Sequence, residues 1–239
     1  MFRSLFSIFF LFSAYLFAGS QIPTPVAAKL KQASAKKGVI EATNLTAGMS
    51  GIVIRRFDKS HEAIIATAVV TSIDQNGSTV EFRPFKALSQ HKLPSIKSRP
   101  KAGDIVVLGY LYDRILPIVP NLASYKKAKE SLAELTLIHP DLFAVELASE
   151  RDALPHKNNF QKACTKFHLG LVMFMYKDGS SFIDCISWKR VAKSDLKAAE
   201  GELIAPFYNR FGEIEPPFYD FSSYKLKDFD KFYKKVERE

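Results

Sequence analysis

Residues 51–57 read Gly51-Ile52-Val53-Ile54-Arg55-Arg56-Phe57, and three further strand-like runs follow, AIIATAVVTSI (63–73), STVEFR (78–83) and IVVLGYL (105–111). These runs are rich in β-branched residues, which suit a pleated, half-buried surface. Asn76-Gly77 is a strong hairpin signal between the second and third runs, because both central residues of a primed turn need a positive φ. Closely spaced strands with short turns predict a small antiparallel barrel, which removes its own edges by closing.

The composition indicates the class of protein and the charge of the partners that it would attract. The chain has 239 residues, 47% hydrophobic content and a formal net charge of +9. This length allows one large domain or two small ones, and the hydrophobic content supports a packed core. The positive balance favours anionic partners such as lipopolysaccharide, acidic glycans, phospholipid or acidic proteins.

The first 20 residues have the pattern of a secretory signal peptide. Arg3 supplies the positive start, residues 5–17 are apolar except for Ser7 and Ser13, and residues 18–20 are small. We therefore expect an exported protein, in the periplasm or on the outer cell surface, and export argues against nucleic acid as a partner. An uncleaved membrane anchor is the alternative, and it leaves the same domain outside the membrane.

Prolines suggest where the domains begin and end. Residues 21–37 read as a basic leader or linker, because Pro23 and Pro25 keep its start extended. The barrel is expected over 38–116, and Pro117 and Pro120 mark the boundary to an α+β domain over 117–239. The predicted fold class is therefore α+β, a small antiparallel β-barrel followed by a helix-covered antiparallel sheet.

The second domain shows both helical and strand patterns. Residues 169–176 and 180–188 form a clear hairpin turned at 177–179, and the first strand is apolar on both faces, so helices should cover it. We expect helices over about 121–135 and 158–168 and a short one from Ser194. The pattern over 142–147 fits a strand or a helix equally. Residues 205–224 read as an irregular aromatic segment.

The last helix, expected over about 227–238, is amphipathic. Phe229, Phe232, Tyr233 and Val236 fall at i, i+3, i+4 and i+7. The opposite face carries charged candidates for ligand binding, namely Lys231, Lys234, Lys235, Glu237 and Arg238. A cation beside an anion on this face could form an internal binding site, and an ordinary solvated face with weak ion pairs is the alternative.

A second group of basic residues lies in one long connection of the barrel. The candidates are Arg83, Lys86, Lys92, Lys97, Arg99 and Lys101, and no acidic residue occurs between Glu81 and Asp104. A connection of this length within a compact domain is often functional. It reads either as a basic binding loop or as a solvated connection with uneven charge.

The sequence offers no catalytic residue, metal site or cofactor site that we would assign. It contains no Walker loop, dinucleotide glycine pattern, Gly-x-Ser-x-Gly or His-Glu-x-x-His. Cys164 and Cys185 either form one disulfide, as export favours, or are two separate buried side chains. Cys164 with His168 and His156 could begin a metal or thiol site, but the paired spacing of a zinc site is missing. Asp184 lies within a strand and, if buried, needs hydrogen bonds or a cation.

Four short motifs resemble those of the plasminogen-binding protein PgbA family, in its N-terminal domain. They are Gly48-Met49-Ser50-Gly51-Ile52-Val53, Phe57-Asp58, the run from Ile64-Ile65-Ala66 to Thr71, and Gly103-Asp104-Ile105-Val106. The resemblance implies an envelope or cell-surface protein of host-associated Gram-negative bacteria that captures host plasminogen. Kringle domains of plasminogen favour a free C-terminal lysine, whereas this sequence ends Glu237-Arg238-Glu239, so internal lysines are the ones to consider.

Three hypotheses follow. The first is a non-enzymatic, exported binding protein that captures host plasminogen through exposed lysines. The second is a periplasmic module that binds anionic envelope glycan or lipid through the 83–101 loop. The third is a hydrolase, which would require a closed pocket joining Asp184, His168 and another carboxylate.

Overall fold

The computed structural model describes residues 22–85, 98–212, 214 and 226–239. Six antiparallel strands close the barrel in the order β1-β2-β5-β4-β3-β6. They are β1 (Val26–Ala33), β2 (Lys37–Ile40), β3 (Ser50–Arg56), β4 (Glu62–Asp74), β5 (Gly77–Arg83) and β6 (Ile105–Leu108). The predicted barrel is confirmed, and β4 and β5 form the predicted hairpin. Asp74 pairs with Gly77, so the central residues of the turn are Gln75 and Asn76 and not Asn76 and Gly77 as expected.

The expected leader over 21–37 contains a barrel strand, which corrects its reading as a linker. β1 pairs with β2 on one side and with β6 on the other, and it thereby closes the barrel. Leu30 is buried in the core while Lys29 and Lys31 are exposed. The lysines are thus on the solvent face of a strand, where alternation along the chain places them.

The second sheet has the strand order β11-β10-β9-β7-β8. Its strands are β7 (Arg114–Ile118), β8 (Thr136–Leu137), β9 (Leu171–Tyr176), β10 (Gly179–Asp184) and β11 (Arg190–Ser194). β9, β10 and β11 are antiparallel, but β7 runs parallel to both β8 and β9. The sheet is therefore mixed and not antiparallel as predicted, because helical connections allow parallel pairing.

The described residues contain four helices, α1 (Leu122–Ser131), α2 (Pro140–Glu150), α3 (Lys157–Phe167) and α4 (Phe229–Val236). α2 resolves the ambiguous run at 142–147 as helix. The helix expected from Ser194 is wrong, because Ser194 pairs with Ser180 as the last residue of β11. No helix in the part of the chain described here is both long and apolar enough to cross a bilayer.

Pro117, where we expected the domain boundary, is part of the second sheet. Pro117 lies inside β7, opposite Met173 of β9. A proline is tolerated there because β8 pairs only with Arg114 and Ile115, which leaves the other side of Pro117 without a strand partner. The second sheet therefore begins at Arg114.

β9 is buried on both faces, as its pattern predicted. Leu171, Met173 and Met175 belong to an apolar cluster that continues into the barrel. Phe174, on the other face, packs in a second cluster with residues of α2, α3 and α4, including Phe160. Helices cover this second face, so the prediction of a helix-covered sheet is confirmed for it.

Candidate binding surface on the C-terminal helix

Three buried residues and one cap fix the position of α4. Phe229, Tyr233 and Val236 are buried at i, i+4 and i+7. The Tyr233 hydroxyl donates to the carbonyl of Pro206 at 2.9 Å, and its ring stacks on Phe174 with centroids 5.2 Å apart. The Asp228 carboxylate caps the helix by accepting from the Lys231 backbone N–H. α4 is therefore held firmly against the sheet.

Lys231 and Lys235, on the opposite face of α4, and Arg238, in the turn that follows the helix, are exposed cations that we call the basic stripe. Each comes two residues after a buried residue, and two residues turn an α-helix by about 200°. The stripe therefore points away from the core. Within the part of the chain that the structure describes, none of its three side chains forms a salt bridge.

Lys234 and Glu237, which we also predicted as ligand-binding residues, are engaged within the protein. Lys234 Nζ lies 2.8 Å from an Asp178 carboxylate oxygen and 5.1 Å from the centre of the Tyr176 ring. The hydrogen bond with Asp178 raises the pKa of Lys234 and lowers the pKa of Asp178. The pair is exposed to solvent, so it stabilises the fold only weakly.

Glu237 faces inward and joins α4 to the sheet. Its side chain is 8% exposed, and it accepts hydrogen bonds from the Tyr176 hydroxyl and from Arg190, each at 2.9 Å. Burial, followed by the charge of Glu237, raises the pKa of Tyr176. Glu239 is occupied too, since it accepts from the Lys157 backbone at 3.0 Å. Neither acid is thus a free partner for a lysine of the stripe.

A cleft of about 500 Å³ lies beside the basic stripe, between α4 and the strands β9, β10 and β11. Arg238 of the stripe and the exposed Lys193 both line it. Three acids also line it, Asp178 and Glu237, which pair with Lys234 and Arg190, and the exposed Asp195. The cleft extends the positive surface from α4 onto the edge strand β11.

The second predicted basic group is only partly described. Lys86, Lys92 and Lys97 lie outside the described residues. Arg83, Arg99 and Lys101 are exposed.

The ends of this long connection are fastened to the protein. Arg83 reaches the Ile186 carbonyl at 3.5 Å. Arg55 holds the other end by donating to the Arg99 carbonyl at 2.7 Å and to both oxygens of the Asp104 carboxylate.

The cysteines and Asp184, which we considered for metal binding or catalysis, have structural roles. Cys164 and Cys185 form a disulfide that ties α3 to the end of β10, with Cα atoms 5.8 Å apart. Asp184 is fully buried, and both its oxygens accept hydrogen bonds from protein groups. Among the described residues, no three His, Cys, Asp or Glu side chains are grouped so that they could hold a metal ion.

The family model described as Plasminogen-binding protein pgbA N-terminal matches residues 25–236. The chain belongs to this family. The matched range starts directly before β1 and ends with the last residue of α4, so the family unit includes both the barrel and the second sheet.

Two curated members of the family are named Plasminogen-binding protein PgbA and come from Helicobacter pylori, strains 26695 and J99. Each is 22% identical to this chain over 175 residues, which is 73% of this chain and 38% of the relative. The chain therefore spans less than two fifths of the length of these relatives, which are named as binding proteins. No solved structure matches it significantly.

The helical pattern predicts α4, but it does not show which of the charged residues pair within the protein. Helical spacing does indicate part of this difference. Lys234 directly follows the buried Tyr233, and Glu237 directly follows the buried Val236. A position one residue from the core lies at the border of the buried face. Their partners on β9 and β11 could not be found from spacing within the helix.

Proposed function

We propose that the protein is an exported, non-enzymatic binding protein that captures host plasminogen through the exposed lysines of α4. The observation that supports it best is the basic stripe, which a firmly packed helix presents to solvent in a member of this family. The names of the two curated relatives supply the partner.

Lys231 and Lys235 are the two lysines best placed for this role. A kringle domain holds a lysine side chain between acidic and aromatic residues, so the ammonium group has to be accessible. Both lysines are exposed, whereas Lys234 is paired with Asp178. A helix that is already fixed to the core loses little further backbone freedom on binding, which favours affinity.

The test compares two triple variants that remove the same charge. Lys231→Ala/Lys235→Ala/Arg238→Ala removes the stripe, and Lys126→Ala/Lys127→Ala/Lys129→Ala removes three cations from α1. We expect the first variant to bind immobilised plasminogen about tenfold more weakly, a loss of roughly 1.4 kcal/mol, and the second to bind as the wild type does. A free lysine analogue should release the wild-type protein. The proposal would be rejected if both variants lost plasminogen affinity equally, or if the free lysine analogue did not release the wild-type protein.

Export is the second part of the proposal. Residues 1–20 have the signal-peptide pattern, and a disulfide between Cys164 and Cys185 suits an oxidising compartment. We expect protein from the envelope fraction to begin near Gln21 when its N-terminus is sequenced. Protein that keeps Met1 and fractionates with the cytosol would contradict this.

A second candidate function is binding of anionic envelope glycan or lipid through the 83–101 connection. Arg99 and Lys101 favour it, because both are exposed and Arg55 fixes the backbone that carries them. Arg83→Glu/Arg99→Glu/Lys101→Glu should abolish this binding and leave plasminogen capture intact. Loss of plasminogen capture in the same variant would argue for a single, shared surface.

A further inference from the structure

We propose that the tip of the β3–β4 hairpin docks on an anionic lipid bilayer, with Phe57 entering the headgroup region as an apolar anchor. The proposal rests on the second candidate function, narrows its ligand to lipid and moves the centre of binding to residues 56–61. It is independent of plasminogen capture by α4.

The β3–β4 hairpin projects beyond the strands on either side of it. β3 and β4 stay paired out to Arg56 and Glu62. Their neighbours stop earlier, since β6 pairs only as far as Ile54 and β5 only as far as Thr67. Among the described residues, the last two positions of β3 and the first five of β4 therefore lack an outer strand partner.

The turn at the tip is ordered and holds Phe57 in solvent. The Phe57 backbone N–H donates to the His61 carbonyl at 2.9 Å, and the Asp58 carboxylate accepts from the backbone N–H groups of Ser60 and His61 at 2.7 and 2.9 Å. The Phe57 side chain is nevertheless 57% exposed. An exposed aromatic side chain on a fixed, projecting turn is thus available for a partner.

Two cations flank this aromatic side chain on the turn, and two more lie at the base of the hairpin. Arg56 and Lys59 flank it on the turn, and both are exposed. Arg55 holds Arg99 at the base of the hairpin through the Arg99 carbonyl and neutralises Asp104, which in turn accepts from the Lys101 backbone N–H. Two exposed acids oppose these four cations, Asp58 beside His61 and Glu62 at 3.4 Å from Arg56. On the turn itself Arg56 and Lys59 are balanced by Asp58 and Glu62, so the net positive charge of this end of the hairpin comes from Arg99 and Lys101 at its base.

A bilayer fits this arrangement better than the other anionic partners do. A specific folded partner needs roughly 800 Å² on each side, which a five-residue turn does not offer. An acidic glycan would use the cations alone and would leave Phe57 without a role. An anionic membrane surface attracts lysine and arginine side chains and accepts aromatic rings at the depth of its headgroups.

Vesicle co-sedimentation tests the proposal with matched variants. Wild-type protein should bind vesicles that contain phosphatidylglycerol, and it should not bind vesicles of phosphatidylcholine alone. Phe57→Ser should weaken binding about tenfold, whereas Phe211→Ser, which removes a 66% exposed phenylalanine elsewhere, should have no effect. Lys59→Gln should weaken it about fivefold, and Lys126→Gln, on α1, should not. Circular dichroism of each variant verifies that it is folded.

Fluorescence gives a direct readout of insertion. Trp188 is the single tryptophan of the chain and is 3% exposed, so its emission should not respond to vesicles. In Phe57→Trp, the new emission should shift to shorter wavelength on phosphatidylglycerol vesicles, and brominated lipid should quench it. Vesicle binding without this shift, and without loss in Phe57→Ser, would overturn the proposal.

Two further results keep this proposal separate from the candidate functions. The α4 variant Lys231→Ala/Lys235→Ala/Arg238→Ala should retain most of its vesicle binding, and an equal loss there and in Lys59→Gln would overturn a role of the tip. Binding to heparin with none to anionic vesicles would also overturn the proposal, while leaving the glycan form of the second candidate function intact.

Discussion

Asp184, at the end of β10, accepts two hydrogen bonds from Ser50, the first residue of β3, which lies 134 positions earlier in the chain. The Ser50 backbone N–H and hydroxyl donate to one carboxylate oxygen at 3.1 and 2.5 Å, and the Tyr112 hydroxyl donates to the same oxygen at 2.8 Å. The other oxygen accepts from the backbone N–H groups of Ile186 and Ser187. A fully buried carboxylate thereby joins the barrel to the second sheet.

We predict that Asp184→Asn will destabilise the protein by roughly 2–4 kcal/mol, measured by urea unfolding. The amide group keeps one acceptor oxygen but presents an NH₂ group to donors at the other position. At least one buried donor then loses its partner, and each such loss costs about 1–3 kcal/mol.

Asp195→Asn is the control for this variant, because Asp195 is exposed and its loss should change the free energy of unfolding by less than about 0.5 kcal/mol. If Asp184→Asn were as stable as Asp195→Asn, the carboxylate would not hold the two parts of the protein together.

Replacing both cysteines should also destabilise the fold. The disulfide joins residues 21 positions apart, and the closure of a loop of this size stabilises by about 3 kcal/mol through the unfolded state. Cys164→Ser/Cys185→Ser should therefore melt well below the wild type in a thermal scan. Dithiothreitol should lower the melting temperature of the wild type and leave the variant unchanged, and a wild type that is insensitive to reduction would contradict the pairing.

Most barrel strands could be predicted from sequence because their burial follows local composition. The β-branched runs that became β3, β4 and β6 are apolar enough to indicate strands by themselves. β1 was missed because only Leu30 of its central residues is buried, between Lys29 and Lys31. Its place in the barrel depends on pairing with β6, more than 70 residues away, and that contact cannot be predicted from the local sequence.

The parallel direction of β7 and the pairing of the lysines on α4 could not be predicted from local sequence either, because both depend on contacts between distant segments. Three helices and β8 lie between β7 and β9 in the chain, so the parallel direction of this pair depends on how the chain returns to the sheet. Lys234 and Lys235 are adjacent residues of the same type. Asp178, on the β9–β10 turn, lies within 2.8 Å of Lys234, and this contact between distant segments distinguishes the two lysines.

Glu237→Gln should separate stability from binding on α4. The carboxylate accepts from Tyr176 and Arg190 in a nearly buried position, so replacing it should lower the free energy of unfolding by about 1–2 kcal/mol. Its side chain does not face the partner side of the helix. Plasminogen affinity, measured by surface plasmon resonance on the folded variant, should therefore equal that of the wild type.

Glu130→Gln, on the exposed face of α1, is the matched control and should alter neither quantity. A clear loss of plasminogen affinity in folded Glu237→Gln would mean that this acid belongs to the binding surface, as the cation and anion pair inferred from sequence supposed.

The Arg55–Asp104 pair should make the barrel sensitive to acid. Burial by itself raises the pKa of Asp104, but hydrogen bonds from Arg55 and from the Lys101 backbone outweigh it, and the pKa lies below its ordinary value. A carboxyl group with a lower pKa in the folded state contributes stability above its unfolded pKa, near 3.9, and that contribution disappears as the pH falls through the folded value. Urea unfolding should therefore show that the stability of the wild-type protein falls below about pH 4.

The variant Asp104→Asn is the control. It should be less stable than the wild type near neutral pH and should lose less stability on acidification, because it has no carboxylate to protonate at this site. Parallel acid profiles for the two proteins would show that Asp104 is not the group responsible.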